Sequence, residues 1–166
     1  QDAGSIRQHL VQIEAAAYLP IDPETRTPTG LVQRVADSPF DLRNLTSLDH
    51  RLESPHPQME LAGGYDHCFV LDPDRDLERP VATVIDESTG RRMEVLTSEP
   101  GIQFYTANSL DGTLAGKNGT FYPRHAGLCL ETQHFPDAPN NEAFPSTRLD
   151  PGRTFTSFTE YRFSTT

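Results

Sequence analysis

Residues 81–97 read VATVIDESTGRRMEVLT and carry the clearest structural signal in the chain. The first five residues are rich in β-branched side chains, which fit a pleated strand. Residues 86–90 supply the Asp, Ser and Gly that are typical of a turn. Residues 92–97 then alternate between polar and apolar side chains, as a half-buried strand does. The segment therefore predicts a β-hairpin with strands at 81–85 and 92–97.

Other short segments carry similar strand patterns. Residues 10–14 alternate between apolar and polar side chains, and further strand candidates lie at 102–106, 128–132 and 155–163. No segment sustains a helical period beyond two turns, and the polar residues 41–58 predict a loop that can include one helical turn. The charged residues 72–80 predict a hairpin loop in preference to a domain linker.

The composition agrees with a strand-rich fold. The 166 residues include 14 prolines and 11 glycines, which suits short strands joined by turns. We therefore predict an all-β fold, an antiparallel β-sandwich or part of one. The length allows residues 1–166 to form a single domain with its own hydrophobic core.

Charge and hydropathy exclude some partners and bear on location. A net charge of −10 argues against nucleic acid or an anionic membrane as a partner. No apolar run is long enough to span a membrane, and no signal peptide is visible. The chain begins with Gln1 instead of Met, so we expect that its natural start was removed. Two Asn-x-Thr triplets, at 44–46 and 118–120, leave secretion open.

The two cysteines give no metal-ligand spacing and no disulfide framework. Cys68 and Cys129 both lie within apolar stretches. We expect two buried free thiols, which would fit a reducing compartment.

Two carboxylates are candidates for chemistry. Glu131 follows the apolar run Gly-Leu-Cys-Leu, where desolvation would suit it to act as a general base. Asp66 follows two glycines and precedes His67, so it could accept hydrogen bonds from a ligand. Each has a simpler alternative, which the pattern alone favours: Glu131 on the solvent face of a strand, and Asp66 as a turn cap.

Other catalytic motifs are missing from the sequence. The six histidines do not form a recognisable metal-binding pattern. There is no nucleophile elbow and no phosphate-binding glycine loop. Five aromatic residues lie near Glu131 in sequence and could form a sugar-binding surface or simply part of the core: Phe104, Tyr105, Phe121, Tyr122 and Phe135.

The chain contains an ordered set of short motifs, of which the most diagnostic is GLCLETQ at 127–133, followed by FPD at 135–137. This set resembles the galactose mutarotase (aldose 1-epimerase) family. The similarity extends over residues 6–163 and includes further motifs at 18–22, 28–30, 39–43, 63–67, 99–106 and 110–112. This resemblance implies the galactose mutarotase-like supersandwich fold, with this chain as its C-terminal portion.

The resemblance also implies an activity and roles for three residues. Glu131 matches the family's general base, which removes the proton from the sugar's C1 hydroxyl. Asp66 and Gln103 match positions that hydrogen-bond the sugar's hydroxyls. The implied reaction interconverts the α and β anomers of a free aldohexose such as galactose or glucose. It needs no metal and no organic cofactor, because proton transfer is sufficient.

One departure from the family is important. The family's catalytic acid is a histidine upstream of the stretch that matches residues 1–9, so this chain lacks it. We expect activity only together with the absent N-terminal half, supplied by a second chain or segment, and sheet edges left uncovered without it. The alternatives are a sugar-binding module and an inactive truncated half. The resemblance favours a cytoplasmic location, with secretion not excluded.

Overall fold

The computed structural model describes residues 4–165. Within this range the chain forms ten strands: β1 Leu10–Ile13, β2 Ala15–Tyr18, β3 Gln33–Arg34, β4 Thr46–Ser47, β5 Asp66–Leu71, β6 Ala82–Asp86, β7 Arg91–Thr97, β8 Gly101–Tyr105, β9 Cys129–Gln133 and β10 Thr159–Thr165. Two short helices, α1 Leu48–Arg51 and α2 Pro57–Ala62, precede β5. Single 3-10 turns lie at Lys117–Gly119 and Ala138–Asn140.

The strands form two five-stranded sheets in which every neighbouring pair is antiparallel. The first sheet has the order β10-β7-β6-β1-β4, and the second has the order β3-β2-β5-β8-β9. The all-β, antiparallel prediction is therefore confirmed.

One hydrophobic core joins the two sheets. The first sheet contributes residues such as Val11, Ile13 and Val84, and the second contributes residues such as Phe69 and Phe104. Side chains of alternate residues meet between the layers, which is how a β-sandwich is held together. Each sheet therefore has one inner face on this core and one outer face.

The predicted hairpin is confirmed as β6 and β7, with Ala82 opposite Val95. The strands predicted at 10–14, 102–106 and 128–132 correspond to β1, β8 and β9 within a residue. The last strand begins at Thr159 instead of residue 155. Sequence patterns missed β2 and β5. Strand β5 buries side chains on both faces, so its sequence does not alternate between apolar and polar residues.

The prediction for residues 72–80 was wrong. They connect β5 in the second sheet to β6 in the first, so they cannot be a hairpin loop. Arg75 anchors this crossover by donating hydrogen bonds to the backbone oxygens of Thr97 and Glu99, at 2.9 and 2.6 Å.

The segment that leads into β5 owes its shape to a capped helix. His56 caps α2 by accepting a hydrogen bond from the Gln58 N–H through Nδ1, and Pro57 occupies the first turn. Gly63 ends the helix in the left-handed conformation, with φ at +71°. The two glycines singled out in the sequence thus turn the chain from the helix into Tyr65 and Asp66.

One edge of the sandwich is uncovered within residues 4–165. Tyr161 and Phe163 on β10 are opposite Val95 and Met93, on the inner face of the first sheet. Their exposed fractions are nevertheless 44% and 74%. Tyr161 Oη reaches the Leu130 backbone oxygen on β9 at 2.9 Å, and β9 is the last strand of the second sheet on that side. This matches the expected apolar face without a cover.

Two buried tyrosines differ in the hydrogen bonding of their hydroxyls. Tyr65 Oη donates to the Pro39 backbone oxygen at 2.6 Å, whereas Tyr18 Oη is buried with no hydrogen-bond partner among the described residues. We expect Tyr65→Phe to lower the free energy of unfolding by about 1–2 kcal/mol, because it leaves a buried carbonyl unpaired. Tyr18→Phe should be neutral or stabilising by up to about 1 kcal/mol. Urea denaturation measures both, and equal losses would contradict this account.

Candidate functional site

The candidate site lies on the outer face of the second sheet. Successive residues of a strand face opposite sides. Phe69, Phe104 and Leu130 belong to the core, so their neighbours along β5, β8 and β9 point outward. The outward set includes all three residues predicted from the family resemblance: Asp66, Gln103 and Glu131.

Strand register brings these three side chains together. Gln103 on β8 is directly opposite Glu131 on β9, a relation that puts Cβ atoms about 5 Å apart. Asp66 on β5 is opposite Tyr105, one outward position along β8 from Gln103. The Gln103 amide donates to Asp66 Oδ1 across the strands at 2.8 Å. The three residues therefore form one polar row across three adjacent strands.

An apolar layer covers another part of this outer face. Leu19 and Cys68 pack there with three residues that follow β9: Phe135, Ala138 and Phe144. Gly101 permits the close approach of this layer, since a Cβ at that position would be 2.7 Å from Cys68 Sγ. The polar row begins where the cover ends.

Two adjoining depressions open at this boundary. The first, of about 330 Å³, is lined by Asp66, Gln103, Tyr105, Glu131, Gln133 and Pro136. The second, of about 220 Å³, shares Asp66, Gln103 and Pro136, and its far wall is formed by Ile21 and residues 26–28. Gln133 was not predicted, although its spacing of two from Glu131 puts it on the same face.

The polar row combines two solvent-exposed carboxylates with one amide. Asp66 and Glu131 are exposed, and Gln103 is half-buried between them. The bond to Asp66 fixes which end of the amide faces the carboxylate, because only the NH₂ group can donate. Gln103 Oε1 is buried and has no partner among residues 4–165, so the amide keeps one unused acceptor.

Cys129 lies beside Glu131 on the outward face of β9. It is a free thiol, but it is exposed, so the prediction of two buried thiols holds only for Cys68. The prediction failed because residue 129 has the same parity as Glu131 and so points away from the core. Partial burial raises the pKa of the Cys129 thiol, and the negative charges of Glu131 and Asp66 raise that pKa further.

No histidine among residues 4–165 lines either depression. His67 is fully buried behind Asp66, and His125 is buried with Nδ1 at 2.8 Å from the Thr106 backbone oxygen. His134 lies 2.7 Å from the Glu99 carboxylate, near the start of β8. Of the aromatic candidates, only Tyr105 lines a depression. Phe104 and Phe135 are buried, and Phe121 and Tyr122 are on an exposed loop.

Comparison with known proteins shows the family of the chain. Residues 1–162 match the aldose 1-epimerase family. The chain belongs to this family. It is 45% identical to human galactose mutarotase and 44% identical to the mouse protein, over 164 residues in each case. It is 33% identical to the aldose 1-epimerase of Escherichia coli K12, again over 164 residues.

Solved structures show the same fold. A GalM/aldose epimerase homologue from C. elegans superposes with a TM-score of 0.82 at 25% identity, covering 98% of this chain and 47% of that one. A galactose 1-epimerase from Lactobacillus acidophilus superposes with a TM-score of 0.76 at 25% identity, covering 97% and 45%. The two antiparallel sheets therefore form a galactose mutarotase-like sandwich.

The chain spans about half the length of the curated relatives it matches. The human and mouse alignments cover 99% of this chain and 46% of each relative, and the Escherichia coli alignment covers 98% and 46%. Among residues 4–165, no helix has the length and apolar character needed to cross a membrane.

Thiol alkylation tests the arrangement of Cys129 and Glu131. Glu131→Gln removes a negative charge that disfavours the thiolate, so the pKa of Cys129 should fall. We expect iodoacetamide to alkylate Cys129 on the order of threefold faster near neutral pH, because more thiolate is present. Cys68 should stay unmodified, since burial raises its pKa to about 12.

Glu87→Gln is the matched control, because Glu87 is equally exposed but lies in the β6–β7 turn of the other sheet. Its alkylation rate should equal that of the parent chain. An unchanged rate in Glu131→Gln would show that the Glu131 carboxylate is not beside Cys129.

Proposed function

We propose that this chain provides the sugar-binding surface and the catalytic base of an aldose 1-epimerase. The substrate is a free aldohexose such as galactose or glucose, and the reaction interconverts its α and β anomers. The observation that supports this most directly is the polar row of Asp66, Gln103 and Glu131 in a family member. A hexopyranose offers hydroxyls at several ring positions, which suits such a row of acceptors and donors.

Glu131 is the proposed base. Its carboxylate removes the proton from the C1 hydroxyl while an acid protonates the ring oxygen and the C1–O5 bond breaks. The product is the open-chain aldehyde, in which rotation about C1–C2 exposes the other face of the carbonyl. The reverse proton transfers then close the ring as the opposite anomer. Electrons and protons balance without any cofactor, and Glu131 returns to its carboxylate form.

Asp66 and Gln103 are the proposed binding residues. Asp66 has acceptor capacity left after its single bond to Gln103, and that bond holds the carboxylate from the neighbouring strand. A carboxylate that accepts hydrogen bonds from two hydroxyls holds a sugar in one orientation. Tyr105 and Pro136 border the same depression and offer apolar surface to a C–H face of the ring.

The acid is proposed to come from the N-terminal half of the fold, as a second chain or a preceding segment. No histidine lines the depressions within residues 4–165, and the chain covers about half of its relatives. In this proposal residues 1–166 form a single C-terminal domain. The enzyme would act in the cytoplasm.

The absence of a lining histidine also favours a second candidate function. A chain that keeps Asp66 and Gln103 but lacks an acid would bind hexoses without interconverting their anomers. An inactive half that binds no sugar is the remaining alternative.

Exchange NMR on galactose separates these functions. We expect the chain alone to give weak galactose binding and no added α–β exchange. Addition of the N-terminal half of human galactose mutarotase should produce exchange. In that complex Glu131→Gln should reduce the exchange rate about 10²- to 10⁴-fold, the usual contribution of a general base.

Glu87→Gln again serves as the control and should retain the parental rate. Full activity of Glu131→Gln in the complex would remove Glu131 from the role of base. Binding without exchange, even with the N-terminal half, would favour the sugar-binding module. No galactose-induced shift in either form would favour the inactive half.

A further inference from the structure

The ladder between β2 and β5 stops next to the candidate site. Tyr18 is opposite Phe69, and the Leu19 N–H donates to the Cys68 backbone oxygen at 2.8 Å. In an antiparallel pair the next hydrogen-bonded step is two residues further along each strand. That step would join Ile21 to Asp66.

Two side chains occupy the position of that missing step. Gln58 from α2 accepts from the Ile21 N–H at 2.8 Å and donates to the Ile21 backbone oxygen at 3.0 Å. His67 Nδ1 accepts from the Asp66 N–H at 3.1 Å. His67 Nε2 lies 3.1 Å from Gln58 Oε1 and closes the connection. Both backbone groups of Ile21 and the N–H of Asp66 are thus satisfied by side chains instead of by a direct Ile21–Asp66 pair.

The contacts of His67 define its tautomer. Since the Asp66 N–H can only donate, Nδ1 must be unprotonated, and the ring proton is on Nε2, where it donates to Gln58. The ring is fully buried, with its centroid 4.7 Å from that of Phe40 and 5.8 Å from that of Tyr18. Burial, with a smaller effect from His56, lowers the pKa of His67 to about 3. The imidazole is therefore neutral throughout the physiological range.

The side chains of Gln58 and His67 between Ile21 and Asp66 also shape the site. They separate the chain after β2 from β5, so that Ile21 and residues 26–28 become the far wall of the second depression. An isolated β-bridge between Ile21 and Pro28 joins the two ends of this wall. Arg26, within the wall, donates a hydrogen bond to the Leu61 backbone oxygen. If Ile21 paired directly with Asp66, the space beside the Asp66 carboxylate would be filled by the wall.

We propose that Gln58 and His67 are positioning residues that act as a spacer between β5 and the 21–28 wall, orient Asp66 and hold the hexose depression open. This inference deepens the proposed function and rests on it for the identity of the ligand. Neither residue lines the first depression or takes part in proton transfer to the sugar. Their effect is on sugar affinity through Asp66.

The hydrogen-bond arrangement can be measured without any sugar. We expect a scalar coupling between the Asp66 amide nitrogen and His67 Nδ1, transmitted across the N–H···N bond. The ¹⁵N shifts of His67 should report the Nε2-protonated tautomer and should not titrate between about pH 5 and 8, in contrast to the ordinary behaviour of histidine. No coupling, or a proton on Nδ1, would overturn the proposal.

Two substitutions separate positioning from packing. His67→Phe keeps the ring volume but loses both hydrogen bonds. His67→Asn loses volume but keeps an acceptor that can reach the Asp66 N–H. If the spacer positions Asp66, the Phe variant should raise the galactose Kd about tenfold, which is the scale of losing one buried hydrogen bond. The Kd of the Asn variant should stay closer to that of the parent chain. A packing role predicts the opposite order, and that order would overturn the proposal.

A sugar-free readout makes the test independent of the proposed function. The Gln103 side-chain amide donates to Asp66 Oδ1, so its NH₂ resonances report the position of that carboxylate. They should move in the Phe variant and remain near their parental shifts in the Asn variant. If no variant binds galactose but the Gln103 shifts follow the expected order, the proposed function is wrong and the positioning role of the spacer is supported.

His125→Phe is the matched control, since it replaces another buried imidazole that has a backbone partner away from Ile21 and Gln58. It should lower the unfolding midpoint without changing the His67 coupling. Equal changes in the Gln103 NH₂ shifts in His67→Phe and His125→Phe would show a general loss of packing and would overturn the spacer proposal.

Discussion

The antiparallel register of β5, β8 and β9 is the constraint on which the site depends. A strand has a side-chain period of two, so a slip of one residue would turn every outward residue into the core. Phe69, Phe104 and Leu130 prevent such a slip, because each would lose its place between the sheets. The hydrophobic core therefore determines that Asp66, Gln103 and Glu131 share one outer face, although none of the three belongs to it.

The outer face of the second sheet changes character along its strands. At one end, Cys68 is buried under Phe135 and Phe144, and at the other end Asp66 and Glu131 meet solvent. The depressions form at this transition, where an apolar cover gives way to a polar row. A hexose has both hydroxyls and C–H faces, so a boundary of this kind offers each part of the ring a suitable neighbour. The spacer of Gln58 and His67 extends the same boundary by keeping the 21–28 wall away from Asp66.

The exposure of Glu131 is consistent with a site that one chain does not complete. A base is effective when the site excludes water and an acid faces it across the substrate. Neither condition is met by the open face within residues 4–165, and Phe163 on β10 is also largely exposed. Both features agree with a chain that spans about half the length of its relatives.

Local sequence patterns determined the hairpin of β6 and β7 and the antiparallel all-β class. These features depend on side-chain alternation and turn residues, which are local. The tertiary structure alone decided the exposure of Cys129, the two-sided burial of β5 and the route of residues 72–80 between sheets. It also decided the contacts of His67, which was only a neighbour of Asp66 in sequence. Its partner Gln58 is on another element, and no local pattern predicts a contact that exists only because α2 packs where β2 leaves β5.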